Sequence, residues 1–507
     1  MLNTENQTPL WKAAFSPRND DQHAEARARL ESSLLRMRGS VEQLLKMIPS
    51  DCKGLTLHDI THLDAVWEMA SLIAGGDYDI NPAEAYVLGA SILLHDAGLT
   101  SASYAGGIEE LAKSIEWVDI ASAELRKAGI ALTDELIASP PAVLRPSIIF
   151  SVLREIHAQQ AEKMATEPWH MPGVGEIFLL DDLELRQSFG ESIGRVAHSH
   201  HWTVDKVATD LRDHVGVGTN IPSEWAVSER KVACILRCAD AAHIDRRRAP
   251  TILFAATKPV NISRIHWASQ NKINKPSVDG STLIYSAGSS FAVDEADAWW
   301  LVYDLVKIVD KEIRGSNALL EELGFKRLRI TRVLGAENPR ALSAQIRTNS
   351  WQPIDAEIRV SDPVHLARTL GGRNLYGRDA LAPIREVMQN SADAIRARRA
   401  LEDREPSWGG ITLLIDHDPS DSSACIIHID DDGIGMTERV LSGPLIDFGK
   451  SIWNSDLLRS EFPGLQGKNV KPIGKFGIGF FSIFELADDV KVVSKHYERG
   501  IEDARAF

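Results

Sequence analysis

Two sets of residues in this chain have the types and spacing to do chemistry. The first is spread over the N-terminal half: His62, the adjacent pair His95-Asp96, His157, His198 and Asp240. Neutral imidazoles and carboxylates converging from separate segments are what a divalent transition metal such as Mn, Fe, Zn or Ni requires. The second set is C-terminal. It comprises Glu386, Asn390 and Asp393, then Asp431 ahead of Gly433 and Gly435, then Gly474, Gly477 and Gly479 within the run IGKFGIGFFSIF. Glycines ahead of a helix let the backbone approach a polyanion, and free N–H groups at a helix start favour phosphate.

Each set needs elements to hold it. The pattern from Asp21 to Met47 predicts a helix with an apolar stripe. The stretch LTLHDITHLDAVWEMASLIA predicts a second helix, on which His58 and His62 would share a face. Glu84 to Leu94 predicts a helix ending at His95-Asp96, with Gly98 as its stop. His157, His198 and Asp240 each fall in a further helical pattern, which makes the first half all-helical. Between Pro250 and Val360, TILFAA, ITRVLG and AEIRVSD are expected as strands, and NISRIHWASQNKINKPSVDGSTLIYSAG as short strands and turns. DEADAWWLVYDLVKIVDKEIRGSNALLEEL predicts one long helix, and Trp267, Trp299, Trp300 and Trp351 are expected as packing residues.

In the last third, a helix over Ile384 to Ile395 would place Glu386, Asn390 and Asp393 on one strip, apart from the solvent side at Arg385, Gln389 and Arg396. ITLLIDH and ACIIHID are expected as strands. Asp431 at the end of the second would accept a hydrogen bond from a base amino group. The apolar run Phe480 to Leu486 is expected as a buried helix.

The totals narrow the function classes. The 507 residues suggest roughly two to four domains. A net charge of −15 argues against a general nucleic-acid or membrane-surface binder. Four scattered cysteines, Cys52, Cys234, Cys238 and Cys425, fit unpaired thiols in a reducing compartment. With no signal-peptide pattern at MLNTENQTPLWKAAF and no run of about 18 apolar residues, the expectation is a cytoplasmic protein.

The order His…His-Asp…His…His…Asp resembles the HD phosphohydrolase superfamily over roughly Leu55 to Arg248. That resemblance implies a helical domain in which His62, His95, Asp96 and Asp240 hold one metal and His157 and His198 help hold a second. A metal-bound hydroxide would attack a nucleotide or other phosphoester. His58 would be a supporting partner or an alternative first ligand, and Arg237 and Arg246 to Arg248 are candidate grips for a substrate phosphate. Family members often follow the last aspartate with a second acidic residue, whereas this chain has ADAAHID.

From about residue 364, REVMQNSADAI, DDGIGMT and GKFGIGFFSIFELADDVKVVSK resemble the ATP-binding GHKL fold, an α/β sandwich, and within it the 90-kDa heat-shock chaperones. The resemblance implies that Glu386 is the general base of an ATPase, that Asn390 ligates Mg²⁺ on the phosphates, and that Asp393 supports the nucleotide. Asp431 would receive the adenine amino group, with Gly433, Gly435 and Met436 along the base. Lys450 and Ser451 would approach the phosphates, while Gly474, Gly477, Gly479 and Phe480 wrap them. The family sheet continues with further strands, so this match is expected to be incomplete at its C-terminal side.

The expected organisation is thus a helical segment over 1–50, an HD-type domain over 51–250, a mixed α/β connector over 251–362 and a heat-shock-like ATP-binding domain over 363–507. The arrangement resembles bacterial HD–ATPase fusions suspected of roles in stress or phage conflict. ATP binding would gate the metal site or a partner surface on another protein or a second copy. The alternatives are a phosphohydrolase gated by ATP and a non-catalytic ATP-bound scaffold.

Overall fold

The computed structural model describes residues 8–18, 21–218, 220–354, 381–417, 425–468, 470–474, 477, 479–487 and 489–507. The chain divides into two compact units. One is Met1–Leu111 with Ile149–Ala356, the other Ala112–Ile148 with Glu357–Phe507.

The first unit is built around the helix Glu229–Ala242, which packs on Ile60–Ala74, Pro82–Leu94, Leu183–His198 and Ala296–Glu322. Local signals set the ends of these helices. Asp59 caps Ile60–Ala74 by accepting from the Thr61 amide at 2.9 Å. Asn81 and Glu84 form a reciprocal capping box ahead of Pro82–Leu94, with Pro82 at the first turn. Every residue of that helix is buried, as expected of a segment that is apolar all round. Ser228 caps the central helix, so Asp240 falls in its last turn.

The region expected as a connector belongs to this unit as far as it is described. Ala296–Glu322 lies on the central helix and buries Trp299, whose indole N–H donates to the Ile346 carbonyl at 2.8 Å. The expected strand TILFAA is instead the helix Thr251–Thr257, and the first part of the following mixed stretch is the helix Asn261–Lys272, with the expected short strands after it. A short apolar run satisfies either period, and Thr251–Thr257 buries none of its residues, so its apolar content marked no sheet interior. Among the described residues of this region the strands are Ser277–Asp279 and Thr282–Ile284, which are antiparallel, and Arg332–Val333, parallel to the second. The N-terminal half, expected all-helical, also carries a short hairpin of Trp169–Met171 and Gly175–Ile177. The expected strand AEIRVSD lies outside the described residues.

In the second unit the helix Ala382–Leu401 carries the strip of Glu386, Asn390 and Asp393. The strands Ile411–His417 and Cys425–Asp431 form an antiparallel ladder from Ile411↔Asp431 to His417↔Cys425. Ala397, Ile434, Leu458, Phe462 and Leu465 form a small core. Helix Ile115–Lys127 belongs here too, although in sequence it falls between Asp96 and His157. Its buried Asp119 accepts from the Gly464 and Gly467 amides at 2.7 and 3.0 Å. The expected buried helix over Phe480–Leu486 is a 3₁₀ segment, Gly479–Glu485, in which the Ser482 hydroxyl turns back to the Gly479 carbonyl at 2.6 Å.

Candidate metal centre and nucleotide cradle

In the first unit, His62, His95, Asp96 and Asp240 bring one ligand atom each to within 4.8 Å of one another. Asp96 Oδ2 lies 3.2 Å from both His62 Nε2 and His95 Nε2, and Asp240 Oδ1 lies 3.4 Å from His95 Nε2. His62 and His95 are fully buried, and Asp96 is nearly so. The first helical turn supplies His62, the end of Pro82–Leu94 supplies His95-Asp96, and the last turn of the central helix supplies Asp240.

Hydrogen bonds on the far side of each ring decide which nitrogen is offered. His95, His157 and His200 each direct Nδ1 to the carbonyl three residues earlier, at Ile92, Arg154 and Ala197, over 2.8, 2.9 and 2.6 Å. Nδ1 therefore carries the proton, and the Nε2 lone pair is left for a cation. Nε2 of His95 and of His200 is buried without a hydrogen-bond partner. Such orphaned acceptors beside carboxylates are the donor set a divalent metal fits.

The two carboxylates in turn call for a countercharge. Burial pushes His62 well below its ordinary value, with the Arg248 charge adding to it. Burial works in the same direction on His95, but the Asp96 and Asp240 carboxylates together outweigh it and raise that ring well above. Burial likewise opposes the charge on Asp96, yet His95 and His62 hold it ionised. Two carboxylates buried together demand a positive charge between them.

A second group is His157, His200 and His201. Burial lowers His157 and His200, and it holds His201 at about 4, with His157 adding to it, so these rings are neutral at ordinary pH. His198, expected in this role, is not among them. Its Nδ1 lies 2.5 Å from Glu162 Oε2. The α-helix ends at His198 and the next turn tightens to 3₁₀ over Ser199–His201, which swings the two later histidines round to His157. The run HSHH contained all three candidates, and only the backbone geometry chooses among them.

His58 precedes its helix rather than sharing a face with His62. Its Nδ1 meets the Thr56 carbonyl at 2.5 Å, and its Nε2 accepts from Arg248 at 2.6 Å, so both nitrogens are engaged. Of the candidate phosphate grips, Arg237 is committed to the Ser199 carbonyl and Glu312, and Arg247 to Asp245 and Glu68. Arg248 is the one whose charge acts on His58 and His62.

Close packing also fixes the pocket. A Cβ at Gly98, two residues past Asp96, would fall on the backbone of His157, its α-carbon only 2.8 Å away. Glycine at this position allows the two segments to meet, a role beyond the helix stop expected from sequence.

In the second unit the glycine run lies against the helix Ala382–Leu401. Asp393 Oδ2 accepts from the Ile473 and Gly474 amides at 2.7 and 2.9 Å, and Oδ1 accepts from Arg396 at 3.0 Å. Asp393 is fully buried, with both carboxylate oxygens turned to these donors. A Cβ at Gly474 would lie 3.1 Å from Asn390 Oδ1, and one at Gly479 would overlap the Glu386 carboxylate. Glu386 and Asn390 therefore face the glycine backbone. Gly477 has φ +64 and its peptide oxygen accepts from the Gly449 amide at 3.0 Å, which ties the cradle to the segment before Lys450 and Ser451. Phe480 packs its ring on Phe481 and Phe484.

Asp431 Oδ1 accepts from the Gly433 amide at 2.8 Å, and the Ile434 amide donates to the Ala394 carbonyl at 3.2 Å, placing this turn on the same helix. Gly435 has φ +67 and Met436 donates its amide to Ser494 Oγ at 3.0 Å. Lys475, Phe476 and Ile478 lie outside the described residues.

A helical unit in which imidazoles and carboxylates from separate helices converge in this way defines an HD-type domain. The chain belongs to the HD-CE family, whose model matches residues 52–315, more than half of its length. It is also similar to the chaperone protein HtpG of Sulfurovum sp. (strain NBC37-1), 35% identical over 130 residues, covering 24% of this chain and 20% of that protein. HtpG of Aliarcobacter butzleri (strain RM4018) is 36% identical over 119 residues, 22% of this chain and 18% of that protein. The endoplasmin homolog of Hordeum vulgare is 34% identical over 116 residues, 22% and 14% of the two chains. The chain thus spans about a fifth or less of the length of these curated relatives. No solved structure matches. Among the described residues, no helix is long and apolar enough to cross a membrane.

Proposed function

We propose that this chain is a metal-dependent phosphoester hydrolase whose activity is coupled to ATP bound in its second unit. The observation that carries the first part is the group of buried His62, His95 and Asp96 and half-buried Asp240, with the Nε2 atom of His95 left without a partner. These four residues would hold one divalent ion, and His157, His200 and His201 a second. Such ions supply Lewis acidity towards a phosphoryl oxygen and make a water nucleophilic near neutral pH. The protein's own part is to present imidazole Nε2 atoms, to hold Asp96 and Asp240 ionised, and to offer the Arg248 charge for a substrate phosphate.

For the second unit, the observation is that Asp393 organises the Ile473 and Gly474 amides while Glu386 and Asn390 face the same glycine backbone. We assign this unit to the GHKL class. Asn390 would ligate Mg²⁺ of the bound ATP and Asp431 would accept from the adenine amino group. Glu386 would orient the attacking water, so that turnover depends on positioning and charge. Coupling to a protein partner or a second copy, in stress or phage defence, is the setting that the sequence resemblance suggests.

Elemental analysis of the purified protein tests the metal centre. The wild type should carry a transition metal that His95→Ala with Asp96→Ala loses, and full retention in that variant would overturn the ligand set. Glu386→Ala should keep ATP binding and lose hydrolysis, whereas unchanged turnover would remove the base assignment.

A further inference from the structure

Among the histidines of the first metal group and its neighbours, His62 is held differently. His95, His157 and His200 each use a backbone carbonyl three residues earlier to fix the ring. His62 has no such option, because it lies in the first turn of its helix. The carbonyl three residues before it, at Asp59, already accepts the His62 and Leu63 amides. Its Nδ1 instead meets Nδ1 of His243 at 2.7 Å, the two rings nearly parallel at 11° with centroids 5.0 Å apart.

His243 closes the central helix, three residues beyond Asp240, and its own amide donates to the Asp240 carbonyl at 3.1 Å. Both imidazoles are buried, His62 to 1% and His243 to 0% exposure. Only one proton can lie between the two Nδ1 atoms. If His62 gives its Nε2 lone pair to the metal group, Nδ1–H must be the donor and His243 Nδ1 the acceptor. The remaining His243 proton then lies on Nε2, which faces Asp245 Oδ1 at 3.6 Å. Asp245 is itself fully buried and held by Arg247 at 2.7 Å, and Arg247 reaches Glu68 at 2.7 Å. Asp245 lies beyond hydrogen-bond reach of His243 Nε2, so the tie that orients His62 is the Nδ1–Nδ1 contact itself.

We infer that His243 is the positioning residue of the metal centre, fixing the tautomer and ring orientation of His62 in place of a backbone carbonyl. Outer partners of this kind are worth about 10–100-fold in metal affinity. The sequence ADAAHID, which lacks a second acidic residue directly after the aspartate, supplies an imidazole acceptor at the third position instead. The inference rests on the metal-centre reading of His62.

Mn²⁺ titration of the full chain, followed by the loss of the free-ion EPR signal, tests it with three variants. His243→Leu removes the acceptor and should weaken Mn²⁺ binding about 10–100-fold. His243→Asn keeps an acceptor at the Nδ1 position and should recover most of that loss, which a packing role alone would not produce. His243→Leu binding Mn²⁺ like the wild type would overturn the assignment, and so would equal weakening in both variants. If His243→Leu does not fold, His243→Asn with wild-type affinity supports the acceptor role, and His243→Asn with weakened affinity overturns it. His95→Ala separates the two levels of the reading. Unchanged Mn²⁺ binding in that variant removes the metal centre itself, while a loss there with no effect at His243 removes only this inference.

Discussion

The candidate metal centre and the candidate nucleotide cradle would recognise charge by opposite means. In the first unit the recognising groups are side chains, locked at helix ends and buried, with their remote nitrogens tied to carbonyls or to a second imidazole. In the second unit they would be backbone amides of the glycine run, whose first residues, Ile473 and Gly474, are anchored by the buried Asp393 carboxylate. A cation needs lone pairs and ionised oxygens, which only side chains provide in quantity. A phosphate needs N–H donors at short range, which the main chain provides wherever a side chain is missing. Damage to the first site therefore leaves unbalanced charge, whereas damage to the second leaves unpaired amides or strained backbone.

That contrast can be broken by substitution, and the largest effect falls in the first unit. Asp96→Ala removes one of two carboxylates that compensate His95. Breaking a buried ion pair of this kind costs about 3–5 kcal/mol. Urea unfolding of the metal-free chain reads the loss, and a cost below 1 kcal/mol would show that the charges are better hydrated than their burial implies.

Asp393→Ala should come next. It strands the Ile473 and Gly474 amides and should cost about 2–3 kcal/mol in the second unit. ATP affinity, measured by calorimetry, should fall with it while Mn²⁺ binding in the first unit stays at the wild-type level. Loss of both together would merge the two sites that the comparison separates.

Two glycines sharpen the backbone half of the contrast. Gly449 has φ +86 with nothing within 4 Å of an added Cβ, so Gly449→Ala should cost only the left-handed backbone penalty of about 1–2 kcal/mol. Gly477 has φ +64, and a Cβ there would overlap the peptide of Lys450, so Gly477→Ala should cost more and also weaken ATP binding. Equal thermal shifts for the two variants would count against a tight cradle.

The smallest effect is a pH dependence behind the metal centre. Burial alone would raise Glu68, but Lys275 and Arg247 hold it at about 2, below its ordinary 4.5. A depressed carboxylate stabilises the fold above pH 4.5 and loses that contribution as the pH falls towards 2. Glu68→Gln should flatten this part of the acid-unfolding curve, and an unchanged curve would place the acid sensitivity elsewhere.

Much of this was legible in the residues alone. The types and order His62, His95-Asp96, His157 and Asp240 pointed to a candidate cation site, and Glu386, Asn390 and the glycines to a candidate polyanion site, because ligand chemistry is set by side-chain identity. Helices around His62, His95 and Asp240 were legible as apolar patterns, and in the structure Asp59, Asn81 and Ser228 cap them at Ile60, Pro82 and Glu229. What tertiary structure decided was which candidates meet. His200 and His201 face His157 while His198 does not, because one tightened turn changes the direction of the chain. Asp393 faces inward to amides 80 residues away, and His243 reaches His62 across 181 residues of sequence. Such partners are chosen by how helices pack and by which hydrogen bonds are left unmade, and a linear pattern carries neither.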